Sequence, residues 1–229
     1  MSYTRPEFVQ KVSEIIKDDA DKLASDEKDR FIQEAVKIYS KHRPRKIVKE
    51  ITGDGTYDYS FATHQTSWAE EFSVIKSIEY PADYREPEIL DQDDWIIHEK
   101  ASGKVIRFLE ATPSATETIR VVYTGLHILS DTQNTIPEVD EDAVSNLAAS
   151  LCSAALASAY ATATDSTITA DSVDHKSKSE KYETRARAQK KIYIDHLAIK
   201  EGQVLPATAT GDMDLSPAHG AGRLTHTKK

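Results

Sequence analysis

The spacing of apolar residues predicts two helices at the start of the chain. In residues 4 to 17 the apolar side chains recur at helical intervals, with Thr4 as a possible cap and Pro6 in the first turn. A second helix is predicted over RFIQEAVKIYSKH, after a charged turn, and it should end near Arg43-Pro44 because proline disfavours helix in the residue before it. The predicted buried residues are Phe8, Val12, Ile15 and Ile16 in the first helix and Phe31, Ala35, Ile38 and Tyr39 in the second.

From Arg45 to about Leu129 the pattern changes to short runs rich in Val, Ile, Tyr and Phe, which predict strands. The runs are RKIVKEI, TYDYSF, FSVIKSIEY, DWIIHEK, KVIRFLE and TIRVVYTGLHIL. Gly53-Asp54-Gly55 and Ser102-Gly103 are predicted hairpin connections. The region predicts a small antiparallel sandwich or barrel, and its 15 acidic and 9 basic residues predict a mildly acidic surface.

Two long helices of contrasting charge are predicted next, over residues 135 to 163 and 173 to 200. The first begins with acidic residues, which favour a helix N-terminus, and continues with small uncharged ones. The second carries an excess of basic residues. Beyond Glu201 the chain is rich in Gly, Pro, Thr and Ala without periodicity, which predicts a flexible tail.

These elements predict an α+β protein with four segments. Residues 1–44 and 131–200 form a helical bundle of about four helices, and residues 45–130 form an inserted antiparallel β-sandwich or barrel-like domain. Residues 201–229 form an extended C-terminal arm.

Composition restricts the function. A net charge of −9 over 229 residues argues against a protein that grips nucleic acid by neutralising phosphates. The single cysteine, Cys152, excludes an internal disulfide, and no Cys/His cluster predicts a structural zinc site. The N-terminus lacks the apolar core of a signal peptide, so a cytoplasmic protein is expected. Residues 143 to 163 are long enough to span a bilayer, but their Ala and Ser content favours a soluble helix.

One pattern allows a hydrolase reading. Asp and His side chains, which serve as metal ligands and general bases, occur in two groups, Asp171, Asp174 and His175, and Asp195 and His196. His175 and His196 would lie about 31 Å apart along one helix, at roughly 1.5 Å per residue. They therefore cannot share a metal within one straight helix. We expect no enzyme activity, no cofactor and no metal, with a metal-dependent hydrolase as the alternative.

The order of elements resembles the head–tail connector, or adaptor, proteins of tailed bacteriophages. IRVVYTGLHIL, TIPEVDEDAVSNLAASLCSAALASAYA and DSVDHKSKSEKYETRARAQKKIYIDHL carry the resemblance. It implies a structural virion protein, assembled in the host cytoplasm, that forms a ring of twelve copies beneath the portal protein. Genomic DNA would pass through the ring without sequence-specific binding, and a downstream neck or tail protein would bind below. A neck stopper or tail terminator is the alternative from the same region of the virion.

The resemblance implies roles for particular residues. The arm would dock into the portal through its apolar and basic side chains, Val204, Leu205, Met213, Leu215, Arg223 and Leu224. A ring needs two unlike faces on each subunit, and the acidic and basic helices predict them. The predicted subunit interface comprises Glu138, Asp140, Glu141, Asp142, Lys178, Lys181, Arg185, Arg187, Lys190, Lys191 and Tyr193.

Overall fold

The chain is a mixed α+β protein. The computed structural model describes residues 3–18, 22–65, 67–162 and 171–199, and for residues 171–177 it describes the backbone alone. Within this part of the chain there are five α-helices and six strands. The helices are α1 (Arg5–Ile16), α2 (Ser25–His42), α3 (Phe61–His64), α4 (Glu141–Thr162) and α5 (Asp171–Leu197). The strands are β1 (Arg45–Thr52), β2 (Asp58–Ser60), β3 (Ile75–Glu79), β4 (Trp95–Lys100), β5 (Gly103–Phe108) and β6 (Thr118–Gly125).

Helix α4 is the central element of the helical part, because α1, α2 and α5 all pack against it. Their buried apolar side chains form one core, to which α5 contributes Tyr193. The other members include Phe8, Val12, Ile16, Ile32, Ala35, Tyr39, Val144, Ala148, Cys152 and Leu156. Of the residues predicted to be buried in α1 and α2, only Ile15, Phe31 and Ile38 remain partly exposed.

The boundaries of α1 and the end of α2 agree with the apolar pattern, whereas three helix starts differ from it. Helix α4 begins at Glu141 rather than at residue 135, after a 3₁₀ turn over Glu138–Asp140, and α5 begins at Asp171, two residues before its predicted start. Helix α1 begins after Thr4, whose backbone N–H and hydroxyl both donate to Glu7. Helix α2 ends at His42, as the following Arg43-Pro44 predicts. It begins at Ser25, within the stretch that we interpreted as a turn. The acidic residues there favour the positive end of the helix dipole, so the charged stretch extends the helix.

The strands form two small antiparallel sheets, ordered β1-β6-β3 and β2-β5-β4. All six overlap the predicted runs rich in Val, Ile, Tyr and Phe, and within the described residues they do not close into a barrel. Both sheets contribute to one apolar core, which consists of Ile51, Tyr59, Phe61, Ile75, Ile78, Ile106, Phe108, Ile119, Val121 and Tyr123.

The two predicted hairpins have different outcomes. Strands β4 and β5 pair as a hairpin across Ser102-Gly103, where Gly103 has a positive φ of 116°. The hairpin predicted at Gly53-Asp54-Gly55 is wrong, because β1 and β2 belong to different sheets. This segment crosses between the sheets and is held by a backbone hydrogen bond of 2.9 Å from the Gly53 N–H to the Glu117 carbonyl.

Ion pairs join the strands on their outer faces. In the first sheet the Arg120 guanidinium on β6 pairs with Glu50 on β1, with Glu79 on β3 and with Asp83 in the turn that follows. In the second sheet Arg107 donates two hydrogen bonds to Asp58, of 2.7 and 3.0 Å. The hydrogen bonds from Arg107 lower the pKa of Asp58 to about 2. Many acidic residues of the β region are therefore neutralised within it.

Gly53→Ala should destabilise the β region, because the new Cβ would lie 2.2 Å from the Ser114 carbonyl oxygen, a backbone atom that cannot rotate away. Overpacking of this kind costs about 1–3 kcal/mol. Urea unfolding measures the loss, with Ser102→Ala in an exposed turn as the control. A change in the free energy of unfolding below about 0.5 kcal/mol would show that the segment around Gly53 can move away from Ser114.

Candidate functional site

The contact between α4 and α5 is close because the side chains along it are small. Ser150 Oγ donates to the Ala186 carbonyl at 2.9 Å, and Ser179 Oγ donates to the Ala157 carbonyl at 2.8 Å. Near the C-terminal end of α4, the rings of Tyr160 and Tyr182 stack with centroids 5.6 Å apart. Small and hydroxylated residues thus let the two backbones approach and supply the hydrogen bonds between them.

The stretch Glu138–Thr162 is long and apolar enough to cross a membrane by length and composition. In the fold, 67% of its most apolar window is buried against the other elements, and core helices of soluble proteins pass the same test. Burial of the thiol, the dominant cause, raises the pKa of Cys152 in this helix to about 12. Cys152 is therefore an unreactive core residue at neutral pH.

An open groove runs along the outer side of the α4–α5 contact. Its volume is about 510 Å³. The α4 wall is uncharged, whereas the α5 wall carries Glu183, Arg187 and Lys190. The α4 wall consists of Ser150, Leu151, Ala154, Ala157, Ser158 and Ala161.

Next to the groove, α5 presents what we call the basic face, formed by Arg187, Lys190 and Lys191. All three are exposed. Arg187 pairs with Glu183 one turn away, whereas neither Lys190 nor Lys191 forms an ion pair within the described part of the chain. Ile192 beside them is 51% exposed. Lys181, also predicted for the interface, is exposed and lies six residues before Arg187 on the same helix.

Other residues that the sequence assigned to the interface have partners within the chain. Arg185 donates to the Ile16 carbonyl at the end of α1, and its guanidinium lies 5.7 Å from the centre of the Tyr182 ring. Lys178 lies 6.0 Å from the centre of the Tyr160 ring. Tyr193 is buried. These three side chains join α5 to its own subunit.

The acidic start of α4 is also used internally. Asp140 ends a 3₁₀ turn over Glu138–Asp140 and is 1% exposed. Its carboxylate accepts hydrogen bonds from the Tyr39 hydroxyl at 2.6 Å, from Arg43 Nη1 at 2.8 and 3.0 Å and from His196 Nε2 at 2.8 Å. One carboxylate thus joins the end of α2, the start of α4 and the end of α5.

Hydrogen bonding decides the ionisation of this carboxylate. Burial alone would raise the pKa of Asp140, but the hydrogen bonds from Tyr39, His196 and Arg43 outweigh it and lower the pKa. Burial and the bond to Asp140 raise the pKa of Tyr39, so its hydroxyl stays protonated as a donor. Asp140 is therefore ionised at neutral pH with every oxygen occupied.

The neighbouring acids differ in exposure. Glu141 is buried, and its Oε1 accepts from the Tyr3 N–H at 3.0 Å and from Asn134 Nδ2 at 2.6 Å. Asp142 is exposed and pairs with Lys11 on α1. Glu138 is exposed. Asp140 and Glu141 therefore stabilise the subunit, and only Glu138 and Asp142 have side chains at the surface.

The hydrolase alternative gains no site from this geometry. His196 contacts Asp140 rather than its sequence neighbour Asp195, and Asp140 is saturated by its three partners. Within the described residues, no group of three or more His, Cys, Asp or Glu side chains could hold a metal ion. The side chains of Asp171, Asp174 and His175 lie outside the described residues, as do those of the predicted portal-docking arm, Val204, Leu205, Met213, Leu215, Arg223 and Leu224.

No family model matches this chain, and no curated protein matches it significantly.

Asp140→Ala should destabilise the fold by about 3 kcal/mol, because it leaves the buried Tyr39 hydroxyl and the Arg43 guanidinium without their acceptor. Chemical unfolding at neutral pH measures this loss. Asp142→Ala is the matched control, since its pair with Lys11 is solvent-exposed and should contribute about 1 kcal/mol or less. Equal losses in the two variants would contradict the role given to Asp140.

Stability should decline as the pH falls from 7 to 5, partly through His42, whose Nδ1 lies 2.6 Å from the Tyr193 hydroxyl. Burial first, and Lys41 second, lower the pKa of His42 in the fold. As the pH falls, His42 binds a proton in the unfolded chain near pH 6.5 but only at a lower pH in the folded chain. Its contribution to the free energy of unfolding is therefore complete above about pH 6.5 and decreases below it. Thermal unfolding of His42→Gln should show a smaller loss between pH 7 and 5, and an unchanged loss would contradict this assignment.

Proposed function

We propose that this chain is a structural protein of a tailed-phage virion, a head–tail adaptor whose copies form a ring between the portal protein and the tail. The proposal includes a bundle of four long helices, with the two β-sheets packed as a small sandwich inserted between the helix pairs. The order of elements supports it, since two helices, a β region and two longer helices follow one another as in the resemblance.

The observation that carries the proposal is the uncovered surface at α4 and α5. An open groove with an uncharged wall lies beside the basic face, and no other described element of the chain covers either. The exposed lysines and the uncharged α4 wall are unlike surfaces, and a subunit with two unlike surfaces can join copies head to tail. Such head-to-tail contacts form a closed ring when the rotations from each copy to the next add up to a full turn.

The internal use of Asp140 and Glu141 also supports an assembly function. Because Asp140 and Glu141 form their contacts within the subunit, they do not neutralise the basic face of α5. That face stays positively charged in a chain whose net charge is −9. A negative overall charge suits a channel wall that genomic DNA must pass without binding, because like charges repel phosphate. The same charge distribution does not suit a protein that holds DNA.

Inactivating the gene in its phage tests the function. An adaptor is needed to join two finished parts, so electron microscopy should show DNA-filled heads and separate tails, with infectious particles reduced at least about a thousandfold. Expression of the intact chain from a plasmid should restore joined particles. Joined but leaking particles would indicate a stopper, tails of uncontrolled length a terminator, and normal particles would exclude a role in the neck.

Removal of residues 201–229 tests the proposed docking arm. The truncated chain should lose binding to the portal protein, because the arm supplies that contact, while its thermal transition remains within about 1 °C of that of the full chain. Pull-down on the isolated portal and calorimetry measure the two properties. Undiminished portal binding would exclude the arm as the docking element.

A further inference from the structure

We infer that the basic face of α5 binds an acidic edge of the β region in the next copy of this chain. This inference rests on the proposed assembly of identical subunits and names the surfaces that meet. The acidic residues that the sequence assigned to this role cannot all supply it, since Asp140 and Glu141 are buried within the subunit. Only Glu138 and Asp142 of that group are exposed, and a larger group of exposed acidic residues lies in the β region.

The acidic edge consists of the side chains of Glu86, Glu88, Asp91, Asp93, Asp94 and Glu110. Three segments bring these residues together. The Tyr80 N–H donates to the Glu88 carbonyl at 3.0 Å, and the Leu109 N–H donates to the Asp94 carbonyl at 2.8 Å. None of the six carboxylates forms an ion pair with another described residue. The other acids of the two sheets mostly do, including Asp58 with Arg107 and Glu79 with Arg120.

Apolar side chains are exposed at the same edge. Ile89 is 63% exposed and Leu109 is 51% exposed, next to Glu88 and Glu110 respectively. Unpaired like charges around large exposed apolar side chains are unfavourable in an isolated subunit, because the carboxylates repel one another and the apolar surface contacts water. A partner that brings positive charge and apolar surface would relieve both.

A pocket at this edge indicates what kind of partner group enters. Its volume is about 250 Å³, which is below the ~300–1,000 Å³ of common small-molecule sites. Glu88, Asp94 and Glu110 line it together with the apolar groups of Tyr80, Pro81, Leu90 and Ala111. Such a lining suits a lysine or arginine side chain, whose apolar stem packs on the walls while its charged end meets carboxylates.

The basic face of α5 has the matching properties. Lys190 and Lys191 are exposed and form no ion pair among the described residues, and the adjacent Ile192 is 51% exposed. No ion pair joins α5 to the acidic edge within the described part of one subunit. Charge complementarity therefore points to a contact between two copies, in which the acidic edge of one faces α5 of the next.

Reciprocal charge reversal tests this pairing by sedimentation velocity at low ionic strength over a series of concentrations. One variant is Glu88→Lys with Glu110→Lys, and the other is Lys190→Glu with Lys191→Glu. Each alone should associate at least about tenfold more weakly than the unmodified chain, since like charges then face each other. An equimolar mixture of the two should recover association, because each contact in the mixture again joins opposite charges. The unmodified chain should itself dissociate with added salt.

The control matched to Glu88→Lys with Glu110→Lys is Glu14→Lys with Glu34→Lys. It makes the same change in net charge at two exposed positions on α1 and α2. It should associate like the unmodified chain. The inference is overturned if the mixture fails to recover association, if the control is weakened equally, or if the unmodified chain stays monomeric throughout. Any of these results would overturn the proposed contact but not the adaptor function, which the gene-inactivation experiment tests separately. Normal particles without the gene would overturn the adaptor function.

Discussion

The carboxylate of Asp140 is the interaction on which the helical part depends. It lies where the end of α2, the start of α4 and the end of α5 meet, and it accepts hydrogen bonds from Tyr39, Arg43 and His196. A buried carboxylate with three donors is stable, whereas a buried carboxylate with none is strongly destabilising. Placing Tyr39, Arg43 and His196 around it therefore sets the positions of both long helices.

This arrangement determines which charges remain for partners. The acids at the start of α4 stabilise the subunit, as do Arg185 and Lys178 of α5. The basic face, on the opposite side of α5, keeps its charge at the surface. In the β region, Arg107 and Arg120 pair with acids on the outer faces of the sheets, whereas the carboxylates of the acidic edge form no ion pair among the described residues. One subunit thus has separated surfaces of opposite charge.

Local sequence pattern predicted the elements better than their contacts. Short runs rich in Val, Ile, Tyr and Phe located all six strands, and helical spacing located the apolar faces of α1 and α2. The start of α2 was missed because its charged residues favour both a solvated turn and a helix N-terminus. Glycine and aspartate are typical both of a hairpin turn and of a crossing between two sheets, so the sequence at Gly53 predicted a hairpin. The close approach of Ser114 to Gly53, which distinguishes the crossing, is visible only in the fold.

The partners of Asp140 illustrate what sequence alone could not predict. Tyr39 lies 101 positions away from it, and no local signal marks a carboxylate that will be buried rather than solvated. The same limit explains why Asp140 and Lys190 were assigned to one interface, although the fold gives the first to the subunit and leaves the second at the surface.

The proposed function requires that copies of this chain form a ring in the neck of a virion. Cryo-electron microscopy of the native particle tests it most directly, by locating the chain and its neighbours in one map. We expect a closed ring of this chain directly beneath the portal, with α5 of each copy against the β region of the next. A map with the chain absent from the neck, or present there as single unconnected copies, would contradict it.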